Sequence, residues 1–338
     1  MPNVSTRCAA RMHERSSVAL PLDLSNWTSL GVPSRRIVNT IYTCAPCGVF
    51  ESTSILFQFS DILRLIPSTY HGKRLPKFAS LTAVGPLDAD CDIDRGICNF
   101  SHLLWWRDVD LAGPLRKRLG LPVWVDNDVN TLAVAEKWAG DAPDASDFVT
   151  LSVGRGVGLG IVIDRSLYRG ASGAAGEFGH LIIEPGGAKC ECGRFGCLES
   201  IVGEGALRRN IGEQLGRDVT RDELITLVRS GDPVACSVVE NAGRRLGQAV
   251  SNMMTLLNHE LLIICGEGTE LGATFIDPII AAVREQTFGD LGRNVEIKVQ
   301  LWGDEAWAVG AATQVLRESF SMPNSEDKSH AIWHRINA

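Results

Sequence analysis

The sequence predicts an α/β fold of two packed lobes, on three observations. Leu121–Val125, Phe148–Val153 and Leu261–Cys265 are short, uncharged apolar runs of strand length, rich in branched side chains. Segments of helical period separate them, above all 233–259, where Leu246, Val250, Met253, Met254 and Leu257 recur near every 3.6 residues. A chain of 338 residues is also long enough for two lobes and a small appendage.

The first 80 residues differ in character from the rest. They hold nine Lys/Arg against four Asp/Glu, whereas the remainder holds 24 against 36. A basic front end on an acidic body suits a polyanion-binding appendage. Residues 22–41 can be read as a helix-turn-helix, with Gly31 in the turn and Ser34 opening a recognition helix that presents Arg35, Arg36 and Asn39 to DNA. An ordinary loop and short helix fit as well, because Trp27 stands where the first helix needs a small residue. Cys44 and Cys47 make a C-x-x-C pair without further ligands nearby. Arg7, Arg11 and Arg15 are followed by no apolar stretch, and no uncharged run reaches the eighteen or so residues of a membrane span. With ten cysteines in such a chain, reduced thiols, metal ligation and a cytoplasmic setting are expected.

From Leu81 the pattern is regular. Leu81–Val84 reads as a strand, Gly85–Asp88 as a turn, and Trp105–Leu111 as the lead into a helix ending at Gly120. Leu121–Val125 then delivers Asp126, Asn127 and Asp128 at its carboxyl end, where open α/β sheets place ligands. An N-cap role for Asp128 is compatible with that. Phe148–Val153 and Ile161–Ile163 read as strands flanking Gly154-Arg155-Gly156-Val157-Gly158, whose alternating glycines allow backbone amides to approach a phosphate. Helices are expected over 204–215, 220–229 and 233–259, and Leu261–Cys265 exits through Gly266-Glu267-Gly268. A strand at 294–301 and a closing helix from Asp304 lead to a loose polar tail over 321–338.

The most specific signal is the stretch 177–199. Cys190, Cys192 and Cys197 are spaced C-x-C-x4-C, and His180 stands ten residues ahead of the first. This is a complete donor set for a closed, structural tetrahedral zinc site. Glu177 and Glu199 bracket it, so a metal-pinned loop carries two carboxylates beside an imidazole, groups that suit the hydroxyls of a sugar.

The string Glu177-Phe178-Gly179-His180 with Cys190-x-Cys192-Gly193-x-x-Gly196-Cys197-x-Glu199 resembles the zinc-and-sugar signature of the ROK family of sugar kinases and sugar-responsive repressors. The resemblance runs from about Leu81 to Leu316 and implies a two-lobed actin-like ATPase fold, related to ribonuclease H, with a divergent or incomplete first lobe. It implies that Asn127, Asp128, Glu177, His180 and Glu199 contact a monosaccharide, and that Asp128 is the general base in a kinase. It places Gly154, Gly156, Gly158, Gly266 and Gly268 at the nucleotide. The Asp-x-Gly-Gly-Thr-Lys hairpin that holds Mg-ATP in the kinases has no counterpart before Leu81, and Arg155 replaces a small hydroxyl residue, as in the repressor branch. The expected organisation is therefore 1–80 as a divergent N-terminal segment, 81–320 as a sugar-binding core and 321–338 as a tail. The expected function is a sugar-responsive, zinc-containing regulator acting on a DNA operator as a homodimer or higher homo-oligomer. A Mg-ATP-dependent sugar kinase is the alternative.

Overall fold

The computed structural model describes residues 38–44, 48–54, 79–82, 89–92, 95–101, 106–119, 123–301 and most of 306–314. The first part of the chain builds three small sheets. β1 (Val38–Cys44) and β2 (Gly48–Ser54) pair antiparallel. β3 (Ala79–Thr82) is followed by an antiparallel sheet of β4 (Ala89–Asp92), β5 (Ile97–Ser101) and β6 (Trp106–Asp110). After α1 (Ala112–Leu119), β7 (Val123–Asp126) returns to pair parallel with β3. Arg116 of α1 fixes that return, donating from Nε and Nη2 to the Val123 carbonyl at 3.1 and 2.6 Å.

α2 (Asp128–Ala139) leads to β8 (Phe148–Val153), β9 (Val157–Ile163) and β10 (Ser166–Leu167). After the loop at 168–198 come α3 (Glu199–Val202), α4 (Glu204–Leu215), α5 (Arg221–Arg229) and α6 (Pro233–Leu257). β11 (Leu261–Cys265), α7 (Ala273–Gln286), α8 (Leu291–Asn294) and β12 (Glu296–Val299) complete the order. The main sheet runs β10-β9-β8-β11-β12, antiparallel on the β9 side and parallel from β8 through β11 to β12.

Both faces of this sheet are covered, which explains why β8 and β11 read as continuous apolar runs. Side chains alternate between faces. Phe148, Leu261 and Ile263 pack with Ala133 and Val134 of α2, whereas Val149, Leu151, Leu262 and Ile264 join the larger core under α4, α6 and α7. Leu246, Val250, Met253 and Met254 of the helical stripe are buried, but Leu257, at the helix end, is 38% exposed. α6 starts with Asp232 capping two amides and stops at Asn258 in the left-handed region, two residues short of the expected end.

Several expectations need correction. Val38–Cys44 is a strand, so the expected recognition helix does not run through Asn39 to Ile41; Val38, Thr40, Ile41, Tyr42 and Thr43 are branched or aromatic and favour the pleated state. Arg35 and Arg36, Cys47 and the tail at 321–338 lie outside the described residues. Residues 106–110 form a strand that leads directly into α1 at Ala112, as its helix was expected to start after Leu111. β9 begins at Val157, which places Gly158 and Gly160 inside the strand and not in a phosphate loop. They are glycine because α2 lies directly on them. A Cβ on Gly158 would meet Val129 Cγ2 at 2.5 Å, and one on Gly160 would meet Ala133 Cβ at 2.7 Å and the Val129 carbonyl at 2.8 Å.

Gly160→Ala should therefore push α2 from the sheet and cost about 1–3 kcal/mol, the usual range for overpacking, read from urea unfolding midpoints. A wild-type midpoint would contradict the contact. A second expectation concerns His259, which is 3% exposed with neither ring nitrogen hydrogen-bonded. Burial pushes its pKa below the usual 6.5, against an opposing pull from Asp147. The unfolded chain then takes up a proton that the fold resists. Stability is full above about pH 6.5 and falls as pH drops toward the lowered folded value. His259→Phe should flatten the unfolding midpoint over that window; an unchanged slope would mean that another group controls it.

Candidate functional site

The loop at 177–199 folds as a compact knuckle. A single 3-10 turn, Phe178–His180, buries the imidazole, and short antiparallel bridges at Ile182–Cys197 and Lys189–Phe195 close the loop. Gly193 and Gly196 sit at φ of 89° and 75°, a region that side chains rarely adopt. A Cβ on Gly196 would also collide with the Glu184 carbonyl. The turn holds through the Cys190 N–H to the Arg194 carbonyl at 2.8 Å and the Gly193 N–H to the Cys190 carbonyl at 3.0 Å.

This folding gathers His180, Cys190, Cys192 and Cys197 so that their ligand atoms all lie within 4.8 Å of one another. Cys190 Sγ is 3.6 Å from His180 Nδ1, and Cys192 Sγ is 3.7 Å from Cys197 Sγ. A regular tetrahedron with metal–sulfur bonds of about 2.3 Å and metal–nitrogen bonds of about 2.0 Å has edges of roughly 3.5 and 3.8 Å, so the donors fit one ion in kind and in spacing. Burial works to raise the Cys192 pKa, but the Arg194 backbone and side chain and the two neighbouring thiols outweigh it and bring Cys192 down to about 7. Burial pushes Cys190 up. Cys192 is thus the thiol of the three that ionises most readily, and a bound cation would displace the remaining protons.

The two acids are held at this frame. Glu177 Oε2 lies 4.0 Å from His180 Nε2, the ring nitrogen opposite the sulfur cluster. Glu199 Oε2 accepts from the Val157 N–H at 3.2 Å, while its Oε1 is 3.9 Å from Cys190 Sγ.

Asn127 and Asp128 occupy the junction of β7 and α2. Asn127, and not Asp128, is the N-cap: its Oδ1 accepts from the amides of Val129 and Asn130 at 2.9 and 3.3 Å. Asp128 opens the helix, accepting from Val129 N at 2.8 Å. β9 joins these residues to the knuckle. α2 sits on Gly158 and Gly160, while the Leu159 N–H donates to the Gly176 carbonyl at 3.0 Å just ahead of Glu177. Sequence reasoning placed Asp126 at this strand end but missed Arg169 and the pairing of the two. Asp126 is 3% exposed, and Arg169 donates to its Oδ2 from Nε and Nη2 at 3.0 and 2.7 Å. The available signal was a single cation in an otherwise small-residue loop.

The glycines expected at a nucleotide also make close packing contacts. The Glu267 carboxylate lies directly against Gly154, and Gly266 and Gly268 let the 3-10 turn at Glu267–Leu271 pack on Val153. Arg155 is exposed and reaches 3.8 Å toward Glu191 of the knuckle. Beside the turn, Arg221 is paired with Glu204 at 3.4 Å and Glu270 at 2.8 Å in a cleft also lined by Val153, Leu207, Leu224 and Phe275.

Comparison with known proteins matches the ROK family model over residues 78–318. The chain belongs to the ROK family. It is 31% identical over 233 residues to a xylose repressor of Caldicellulosiruptor bescii, covering 65% of this chain and 58% of that one. It is 30% identical over 251 residues to a glucokinase of Halalkalibacterium halodurans, covering 70% and 76%. Among solved structures, a ROK glucokinase from Streptomyces griseus, in complex with glucose and AMPPNP, superposes with a TM-score of 0.67 at 25% identity, covering 80% of this chain and 91% of that one. These matches establish the actin-like ATPase fold of the ROK core, and the relatives that share it are repressors and sugar kinases. The chain spans about three fifths of the length of the repressor it matches.

In this ROK chain Cys192→Ser should lower bound metal well below one equivalent and reduce the thermal midpoint, measured by elemental analysis and differential scanning calorimetry. Full metal content in the variant would show that the cluster is not the metal site.

Proposed function

We propose that this chain is a sugar-responsive transcriptional regulator of the ROK type, binding a monosaccharide beside a zinc-loaded knuckle. Zinc, when bound by His180, Cys190, Cys192 and Cys197, supplies rigidity and fixes the imidazole tautomer by engaging Nδ1. His180 then carries its hydrogen on Nε2, and a sugar hydroxyl bridging Nε2 and Glu177 suits their 4.0 Å separation. Glu199 and Asp128 accept from further hydroxyls, and the Asn127 amide supplies a donor. A ligand held by both the α2 end and the knuckle favours one relative placement of the elements carrying them, which is the differential affinity a regulator needs.

The observation that favours a regulator over a kinase is the Glu267 carboxylate seated on Gly154. A polyphosphate approaching that turn meets an acid, with Glu204 and Glu270 close by, and phosphoryl transfer depends on charge neutralisation there. The 31% identity to a xylose repressor points the same way. DNA contact would come from the basic N-terminal segment, including Arg35 and Arg36, in a homo-oligomer. No described helix is long and apolar enough to cross a membrane.

The kinase reading is supported by the glucokinase relative and the glucokinase structure, with Asp128 available as base. A thermal-shift panel of pentoses, hexoses and N-acetylhexosamines on zinc-loaded protein, with and without Mg-ATP, separates the two. A sugar at a hundred times its Kd should add about 2.7 kcal/mol, a rise of roughly 5–10 °C. Mg-ATP should add nothing and no sugar phosphate should form. Turnover that disappears in Asp128→Asn would replace the regulator by the kinase, and absence of any sugar shift would remove both.

A further inference from the structure

Asp126 is the last residue of β7, immediately before Asn127 and Asp128, and it is 3% exposed. Both of its oxygens are engaged. Oδ1 accepts from the Asn127 N–H and from Asn130 Nδ2, each at 2.9 Å, and Oδ2 takes the paired Nε and Nη2 donors of Arg169. A two-pronged guanidinium–carboxylate contact is directional as well as strong, and burial protects it from salt.

Arg169 opens the loop that runs into the knuckle. The Ala175 N–H donates to the Arg169 carbonyl at 3.1 Å, and Asn99 Nδ2 donates to the Ser172 carbonyl at 2.8 Å. The next residue, Gly176, is bonded to Leu159, and Glu177 follows. One ion pair therefore links the strand end that delivers Asn127 and Asp128 to the loop that delivers Glu177 and His180.

We propose that Arg169 and Asp126 are a positioning pair that sets the register between the two halves of the sugar site. This rests on the sugar-binding reading above. Neither residue needs to touch the ligand. The pair fixes the distance between the two groups that must grip it together, so losing the pair costs sugar affinity more than it costs the fold.

The test uses the zinc-loaded full chain, titrated calorimetrically with D-xylose, D-glucose and N-acetylglucosamine, with the unfolding midpoint and bound zinc measured in parallel. Arg169→Gln should weaken the sugar that the wild type binds by tenfold or more at unchanged zinc content, and Arg169→Lys should recover part of the loss. The neutral double variant Asp126→Asn/Arg169→Gln leaves no buried charge without its partner and keeps the test open if Arg169→Gln does not fold. It should bind no more weakly than either single variant, because the pair acts as a unit. Wild-type affinity in Arg169→Gln, or in the double variant, with only the midpoint lowered would overturn the proposal and leave the sugar site standing. A wild-type chain that binds none of the three sugars would overturn both.

Discussion

The close approach of α2 to β9 is the constraint on which the candidate site depends. Two glycines inside one strand let a helix lie flat on the sheet, and that strand receives the knuckle on its other contacts. Val157 gives its amide to Glu199, Leu159 gives its amide to Gly176, and Gly158 and Gly160 accept α2 between them. Together with the Arg169–Asp126 ion pair, this strand ties the residues at the start of α2 to those of the knuckle. Any side chain at the glycine positions would move the two groups apart before it touched a ligand.

The knuckle is a different kind of structure, anchored to the core at its two ends by Phe178 and Leu198 and held between them by local turns. Its donors gather within 4.8 Å of one another, and its two acids border that cluster, Glu177 at the imidazole and Glu199 between Cys190 and β9. Its exposed Leu181, Ile182 and Phe195 give it little apolar cover of its own. Order there depends on the backbone bonds around Gly196 and on whatever occupies the sulfur cage.

Much of this was legible in the amino-acid sequence because it is local. Leu261–Cys265 and Phe148–Val153 are strands at the residues read from their apolar runs, since burial on both faces leaves no alternation to confuse. The ligand set was legible because C-x-C-x4-C with a nearby histidine constrains both chemistry and spacing. What failed was non-local. Alternating glycines carry the same sequence signal whether a phosphate or a helix approaches them, and only the packing of Val129 and Ala133 decides. The antiparallel strands at 89–110 were missed because they are short, partly polar and defined by one another. Asp126 and Arg169 are 43 residues apart, and nothing in either neighbourhood announces the other.

Glu199 serves two structures at once, one oxygen beside Cys190 and the other on the amide that begins β9. Occupancy of the cage and occupancy of the pocket are then linked quantities, and linkage of this kind is symmetric. If the knuckle takes zinc and the pocket a sugar, as proposed, each would raise the equilibrium affinity of the other by the same factor. Under that proposal one carboxylate would tie the response to a carbohydrate to the supply of a trace metal.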